Sequence, residues 1–113
     1  MNPTLRAAFD REMAAAAVAE SGGDLSLAFG HLERAHILGQ RHTWPHIRSH
    51  VGMLRIGWRR NDWRELVGQL TRIAAALVFS RIWVPLGNTG GANVSPIKPM
   101  PIPPDLADML NAD

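Results

Sequence analysis

Cysteine is absent from this 113-residue sequence, so disulfide bonds, thiolate metal sites and thiol nucleophiles are excluded. Long apolar runs are absent too: even residues 73–79, among the longest such runs, are far fewer than the roughly 20 residues of a membrane-spanning helix. Near the N-terminus, Asp10, Arg11 and Glu12 interrupt any apolar segment that a secretory signal would need. These absences predict a cytoplasmic protein with no membrane segment.

The sequence also lacks two common catalytic signatures. No Gly-x-Ser-x-Gly is present, and no Gly-Lys-Ser/Thr follows the glycine-rich segment GNTGGANVSP at residues 87–96. This segment has two interpretations: its backbone N–H groups bind an anion, or its Asn and Gly residues form two successive turns. Turns are the favoured interpretation because neither a strand before the segment nor a helix after it is predicted.

Charge is modest, with a net value of +2, and all basic residues but one are arginine. Arg48, Arg55 and Arg59 recur at i, i+7 and i+11 on one helical face, with Trp44 and Trp63 nearby. Such a face binds nucleic acid backbone in some proteins, but a solvated helix face gives the same pattern. The small net charge favours the solvated face, so nucleic acid is not an expected partner.

Capping residues and apolar spacing predict four helices. Asn2-Pro3 begins the first, Asp24 the second, Thr43 the third and Asp62 the fourth. The third helix is predicted to bury the stripe Ile47, Val51, Leu54 and Trp58. The fourth is predicted to bury the stripe Leu66, Leu70, Ile73, Ala74 and Leu77.

The two halves of the helical region resemble each other at a shift of 38 residues, where Gly23-Asp24 recurs as Asn61-Asp62. Each half then consists of a helix, a polar turn and a second helix, which resembles a tetratricopeptide-type hairpin. The expected fold is all-α, with four helices in two antiparallel hairpins over residues 1–83. An irregular Pro/Gly-rich tail, residues 84–113, is expected to pack on the helices and to end in a short helix from Pro104. The tail residues expected to make these contacts are Val94, Ile97, Met100 and Ile102.

Two strings, HLERAHILGQ at residues 31–40 and GNTGGANVSP at residues 87–96, resemble an uncharacterised family of small bacterial helical proteins. The resemblance covers nearly the whole chain. It implies a bacterial source and carries no activity with it.

Histidine is concentrated in one region, since four of the five histidines lie between residues 36 and 50. Glu33 and His36 are spaced i, i+3, and His46 and His50 are spaced i, i+4, so each pair shares a helical face. In an antiparallel hairpin, their depths place His36 opposite His46 and Glu33 opposite His50. His31 has the wrong spacing to share a face with His36.

These four side chains, Glu33, His36, His46 and His50, are the predicted metal ligands, with Glu12 of the first helix as a further candidate. Helix bundles use Glu-x-x-His to hold iron or manganese, and three histidines with one glutamate also suit Zn²⁺. The expected cofactor is one divalent ion: Zn, Fe or Mn.

The alternative is a metal-free protein-interaction module. In that hypothesis the same Glu/His cluster is a structural hydrogen-bond network that fixes the helix register. A protein partner or a homodimer is then expected. The sequence assigns no reaction under either hypothesis.

Overall fold

The computed structural model describes residues 1–79 and 85–113. These residues form five α-helices and no strand: α1 (Pro3–Ser21), α2 (Leu25–Gly39), α3 (Thr43–Arg59), α4 (Trp63–Phe79) and α5 (Pro104–Asn111). The all-α prediction is therefore confirmed for this part of the chain. The two-hairpin arrangement, the tetratricopeptide likeness and the division into two regions stay predictions. The predicted boundary at residues 83/84 lies outside the described residues.

Three of the four predicted helix starts are confirmed by side-chain caps. Each oxygen accepts the backbone N–H three residues later: these caps are Asn2, Asp24 and Asp62. The predicted start of the third helix is wrong by one residue. Helix α3 already includes Thr43, and His42 occupies the N-cap position without a side-chain cap. The His42 ring instead lies 2.8 Å from a carboxylate oxygen of Asp113.

Each helix from α1 to α4 packs against the next along the chain, and α5 lies on α1 and α2. Two buried apolar clusters join the elements. The cluster shared by α1, α2 and α5 consists of Leu5, Ala8, Phe9, Ala35, Ile37, Leu38 and Leu106. The cluster shared by α1, α2 and α3 consists of Ala16, Ala19, Ala28, Phe29, Leu32, Met53 and Ile56.

Helix α3 is rotated relative to its predicted stripe. Trp58 is 67% exposed, so its predicted burial is wrong, and the buried face carries Met53 and Ile56 instead. Gly52 explains this choice, because a Cβ there would lie 2.6 Å from Leu32 Cδ2 in α2. Glycine thus leaves room for the Leu32 side chain on that face of α3, which favours the burial of that face against α2.

Helix α4 differs more strongly, because half of its buried residues are polar. Its buried residues are Glu65, Leu66, Gln69 and Ala76. Leu70 and Leu77 are 58% and 55% exposed, so the prediction that both are buried is wrong. The physical reason is that the inner face of α4 must supply hydrogen bonds to a buried histidine of α3 and to the backbone of residues 87–96.

Polar hydrogen bonds anchor the glycine-rich segment. Gln40, at the end of α2, donates to the Pro85 carbonyl and accepts from the Gly87 N–H, both at 3.1 Å. The Asn88 amide donates to two carbonyl groups further along the tail. Of the tail residues predicted to pack on the helices, Ile102 packs against the cluster of α1, α2 and α5, whereas Ile97 is 68% exposed. The segment is held by hydrogen bonds that apolar periodicity does not reveal.

Two glycines in α2 test the close packing. A Cβ at Gly39 would lie 2.8 Å from Pro45 Cβ and 3.0 Å from the Phe9 ring. Because neither neighbour is a flexible chain end, we expect Gly39→Ala to lower the free energy of unfolding by about 1–3 kcal/mol. Gly30→Ala is the matched control: it meets nothing within 4 Å, so it should raise that free energy by about 0.5–1 kcal/mol. Urea unfolding followed by circular dichroism measures both, and equal effects would contradict the expectation.

Candidate metal centre

Three buried histidines converge between α2 and α3. His36 comes from α2, and His46 and His50 come from successive turns of α3. The His46 Nε2 atom lies 3.0 Å from His36 Nε2 and 3.1 Å from His50 Nε2. Nitrogen atoms bound to one tetrahedral Zn²⁺ lie about 3.3 Å apart, since Zn–N bonds are about 2.0–2.1 Å. Two of the separations are therefore close to that of ligands around a single ion, and the candidate ligand atoms of all three rings lie within 4.8 Å of one another.

The backbone of the glycine-rich segment fixes the proton on His36. Its Nδ1 lies 2.8 Å from the Asn88 carbonyl oxygen, which only accepts hydrogen bonds, so Nδ1–H donates. Since burial keeps the ring neutral, His36 Nε2 carries a lone pair. Gly90 permits this close approach: its φ is 84°, and a Cβ there would lie 2.7 Å from His36 Cδ2.

A glutamine on α4 fixes the proton on His50. The Gln69 amide nitrogen donates to Glu65 Oε2 at 2.6 Å and to the Gly90 carbonyl at 2.8 Å. The Gln69 Oε1 atom is thereby oriented as an acceptor, and His50 Nδ1–H donates to it. His50 Nε2 therefore also carries a lone pair.

His46 completes the cluster but cannot satisfy the hydrogen-bonding needs of all three rings. A neutral His46 ring has one proton, whereas two lone pairs face its Nε2 atom. With that proton on Nε2, the buried Nδ1 atom is an acceptor without a partner among the described residues. With the proton on Nδ1, three lone pairs face one another. The arrangement is unfavourable in either tautomer, because buried polar groups normally find partners.

Burial keeps all three rings neutral. It lowers the pKa of His46 to about 3 and that of His50 to about 4. Burial lowers the pKa of His36 well below its ordinary value, and the neighbouring His50 and His46 lower it further. Neutral imidazole is the form that binds a metal ion.

A cavity of about 420 Å³ opens beside the cluster, and all three histidines line it. Its other walls are mainly apolar: Ala75, Ala76, Phe79, Pro85, Pro96 and Ile97. Arg72 of α4 also lines it. The Arg72 Nη2 atom donates to the Val94 carbonyl at 2.9 Å.

The predicted ligand Glu33 does not join the cluster. Among the described residues, the group with metal-binding potential consists of His36, His46 and His50. The predicted opposition of His36 and His46 is confirmed by their 3.0 Å contact, whereas His50 faces Gln69 and His46. Burial raises the pKa of the Glu33 carboxyl, and the Glu65 carboxylate raises it further.

Glu12, the further candidate ligand, is engaged elsewhere. Its carboxylate lies 2.7 Å from His31 Nδ1 and accepts from Arg34 Nε at 2.8 Å. The structure thus brings three of the five predicted site residues together and leaves both glutamates outside the cluster.

The arginine face is paired with two carboxylates of α1. Arg55 and Arg59 contact the Glu20 carboxylate at 3.0 Å and 3.4 Å, and Arg48 lies 3.7 Å from Asp10. These arginines therefore form ion pairs within the chain.

Sequence reasoning missed the residues around the histidines, above all Gln69 and Asn88. Both belong to segments that contribute no predicted ligand. One signal was available for Gln69, since it lies one helical turn after Glu65 on the same face of α4. Asn88 acts through its backbone carbonyl, so its side-chain identity carries no signal for this contact.

Fold and site together define a small all-α protein with a buried three-histidine cluster beside a cavity. The chain belongs to the family described as Protein of unknown function (DUF3703), whose model matches residues 3–110. The predicted membership of an uncharacterised family is therefore confirmed. No curated protein and no solved structure matches the chain. Among the described residues, no helix has the length and apolar character needed to cross a bilayer.

The lowered histidine pKa values predict that the metal-free protein loses stability as the pH falls from 6.5 to 5. Histidines of the unfolded chain take up protons near pH 6.5, while His46 and His50 in the folded protein stay neutral down to about 3 and 4. The unfolded state then binds more protons, so the free energy of unfolding falls by up to about 1.4 kcal/mol per pH unit for each such histidine.

Urea unfolding in EDTA at pH 7.5, 6.5, 5.5 and 5.0 measures this slope. His46→Gln should reduce the slope by about one proton. Arg64→Gln, at an exposed position of α4, is the control: it removes no group that titrates in this range and should leave the slope unchanged. A free energy of unfolding that stays constant from pH 7.5 to 5.0 would contradict the expectation.

Proposed function

We propose that this protein binds one divalent transition metal ion through the Nε2 atoms of His36, His46 and His50. The observation that carries the proposal is the convergence of these three atoms, at 3.0 and 3.1 Å, when two of the rings have their protons on Nδ1. A bound cation replaces lone-pair repulsion with three coordinate bonds. Metal coordination is the arrangement that satisfies all three Nε2 atoms together.

Zn²⁺ suits this donor set best among the predicted ions. Imidazole nitrogen is a good ligand for zinc, whereas manganese prefers carboxylate and water oxygen. Non-haem Fe²⁺ sites commonly combine two histidines with one carboxylate. Because Glu33 and Glu12 lie outside the cluster, the proposal favours zinc over iron and manganese.

The contacts behind the rings support metal binding. Histidines that bind metals usually donate their other N–H to a carbonyl or carboxylate, which fixes the tautomer. His36 donates to the Asn88 carbonyl and His50 to Gln69. Gln69 in turn donates to the Glu65 carboxylate at 2.6 Å. The carboxylate thus increases the basicity of His50 through the amide.

The metal-free hypothesis requires the cluster to act as a structural hydrogen-bond network. Such a network is stable only when each buried member is satisfied. Here one proton at most is available for three Nε2 atoms, and His46 Nδ1 has no partner among the described residues. The proton count therefore favours the metal site over the network.

Three protein ligands with a fourth position beside a cavity are typical of catalytic zinc sites, whereas structural zinc sites have four protein ligands. The cavity of about 420 Å³ that the histidines line supports an open fourth position. The proposal therefore includes exchange of a water or another small ligand at the metal.

Metal content tests the proposal directly. We expect untagged protein purified without chelator to contain close to one equivalent of metal, or to take up one equivalent of added Zn²⁺. Binding to the folded state alone should raise the melting temperature, and EDTA should reverse the rise. Elemental analysis and thermal unfolding give both results. A protein that takes up no Zn²⁺, Co²⁺, Fe²⁺, Mn²⁺ or Cu²⁺ refutes the metal site and favours the interaction module.

Single substitutions separate ligands from neighbours. His46→Gln should abolish stoichiometric Zn²⁺ binding, since it removes the central ligand, whereas His42→Gln should not affect it. Glu33→Gln and Glu12→Gln should retain binding, because neither carboxylate belongs to the cluster. Competition with a chelating dye measures each affinity, and loss of zinc in Glu33→Gln would restore the four-ligand site predicted from the sequence.

Gln69→Leu tests the support behind His50. It removes the acceptor for His50 Nδ1–H, so we expect Zn²⁺ affinity to fall roughly 10- to 100-fold. The same dye competition measures the change. Unaltered affinity in a folded Gln69→Leu protein would show that the amide does not orient the ligand.

A further inference from the structure

Arg72 is the one charged side chain among the described residues that line the cavity. No acidic side chain of the described residues lies within ion-pair distance of it. Its Nη2 atom donates to a carbonyl, while its buried Nε atom has no partner in the part of the chain that the structure describes. Burial lowers the pKa of this guanidinium, and the Glu65 carboxylate offsets that effect only in part, so holding the charge there has a cost.

The first half of the chain shows what the equivalent arginine binds. At the shift of 38 residues, Glu12, His31 and Arg34 correspond to His50, Gln69 and Arg72. In the first half, the Glu12 carboxylate lies 2.7 Å from His31 and accepts from Arg34 Nε at 2.8 Å.

The second half keeps one of these contacts and lacks the other. His50 contacts Gln69, at the same separation of 19 residues as Glu12 and His31. His50 replaces the carboxylate, however: its Nδ1–H donates to Gln69, and its Nε2 atom faces His46 rather than the guanidinium. Arg72 Nε therefore lacks the carboxylate that satisfies Arg34 Nε.

The proposed metal increases this imbalance of charge. A divalent cation on three neutral imidazoles adds positive charge to a cavity that already contains Arg72. The Glu65 carboxylate influences Arg72, but its Oε2 atom already accepts from Gln69 and from the Ala92 N–H at 2.9 Å. An anion in the cavity would neutralise the excess charge and satisfy Arg72 Nε.

The remaining walls of the cavity indicate the polarity and size of the rest of such an anion. They are formed by alanine, proline, phenylalanine and isoleucine side chains of α4 and the tail. The volume of about 420 Å³ lies within the range of small-molecule sites, about 300–1,000 Å³. A charged group at one end and an apolar body at the other fit these surroundings.

We propose that the cavity binds a small monocarboxylate with an apolar chain, its carboxylate occupying the open metal position and pairing with Arg72. This inference rests on the proposed metal site. The ligand carboxylate takes the part that Glu12 has in the first half, and the apolar chain lies against Ala75, Ala76 and Phe79.

Protein reconstituted with Co²⁺ tests the inference, because the visible absorption of Co²⁺ reports its coordination. Acetate, hexanoate and the neutral hexanamide are the probes. We expect hexanoate to change the spectrum with a dissociation constant about 10-fold or more below that of acetate, since its additional CH₂ groups are buried. Hexanamide should leave the spectrum unchanged.

Two variants on α4 give the control for charge. Arg72→Gln should weaken hexanoate binding roughly 10- to 100-fold while the Co²⁺ bands remain, since a charge-assisted hydrogen bond is lost. Arg64→Gln removes the same charge from an exposed position of the same helix and should bind hexanoate as the unaltered protein does. Ala75→Leu, which leaves every polar group in place, should weaken hexanoate binding more than acetate binding and decides the matter should Arg72→Gln fail to fold.

The outcomes distinguish this inference from the proposal on which it rests. Absence of Co²⁺ bands overturns both. Normal Co²⁺ bands that no carboxylate alters, or that hexanamide alters as strongly as hexanoate, overturn the carboxylate site alone. Equal hexanoate affinities in Arg72→Gln and Arg64→Gln also overturn it.

Discussion

The burial of three neutral imidazoles around one point is the constraint on which the rest of the structure depends. Each buried ring with a proton on Nδ1 needs an acceptor for it within the protein. An unsatisfied donor there would lower the stability of the folded state. His36 and His50 find theirs in a backbone carbonyl and in Gln69. Both acceptors lie far from the histidines in sequence, so the cluster ties α4 and the tail to the α2–α3 pair.

The polar inner face of α4 is a direct consequence of this constraint. Gln69 is fully buried because its amide must contact His50, Glu65 and the Gly90 carbonyl together. Glu65 is buried because it orients that amide and also accepts from the Ala92 N–H. Because Glu65 and Gln69 occupy the inner face of α4, leucines such as Leu70 point outward, although the helix has a clear apolar periodicity.

The glycine-rich segment serves the cluster through its backbone. Gly90 adopts φ of 84° and lies against the His36 ring, where a Cβ would clash at 2.7 Å. The sequence favoured turns over an anion cradle, and positive φ at Gly87 and Gly90 agrees with turns. Periodicity and capping, which are local signals, predicted the helices and even the approach of His36 to His46. The acceptors Asn88 and Gln69, and the exclusion of Glu33, depend on contacts between distant segments, which local signals do not encode.

A difference between two otherwise similar halves explains why the candidate site occurs in one of them. Position 12 and position 50 are equivalent under the shift of 38 residues, and in both halves this residue contacts the side chain 19 residues later. Glutamate at position 12 pairs with Arg34 and closes its half as an ion pair. Histidine at position 50 gives up that ion pair and directs a lone pair toward His46 instead. One helix-pair design thus yields a structural salt bridge in one half and, in the metal site that we propose, a ligand position in the other. As a consequence, Arg72 has no carboxylate partner among the described residues.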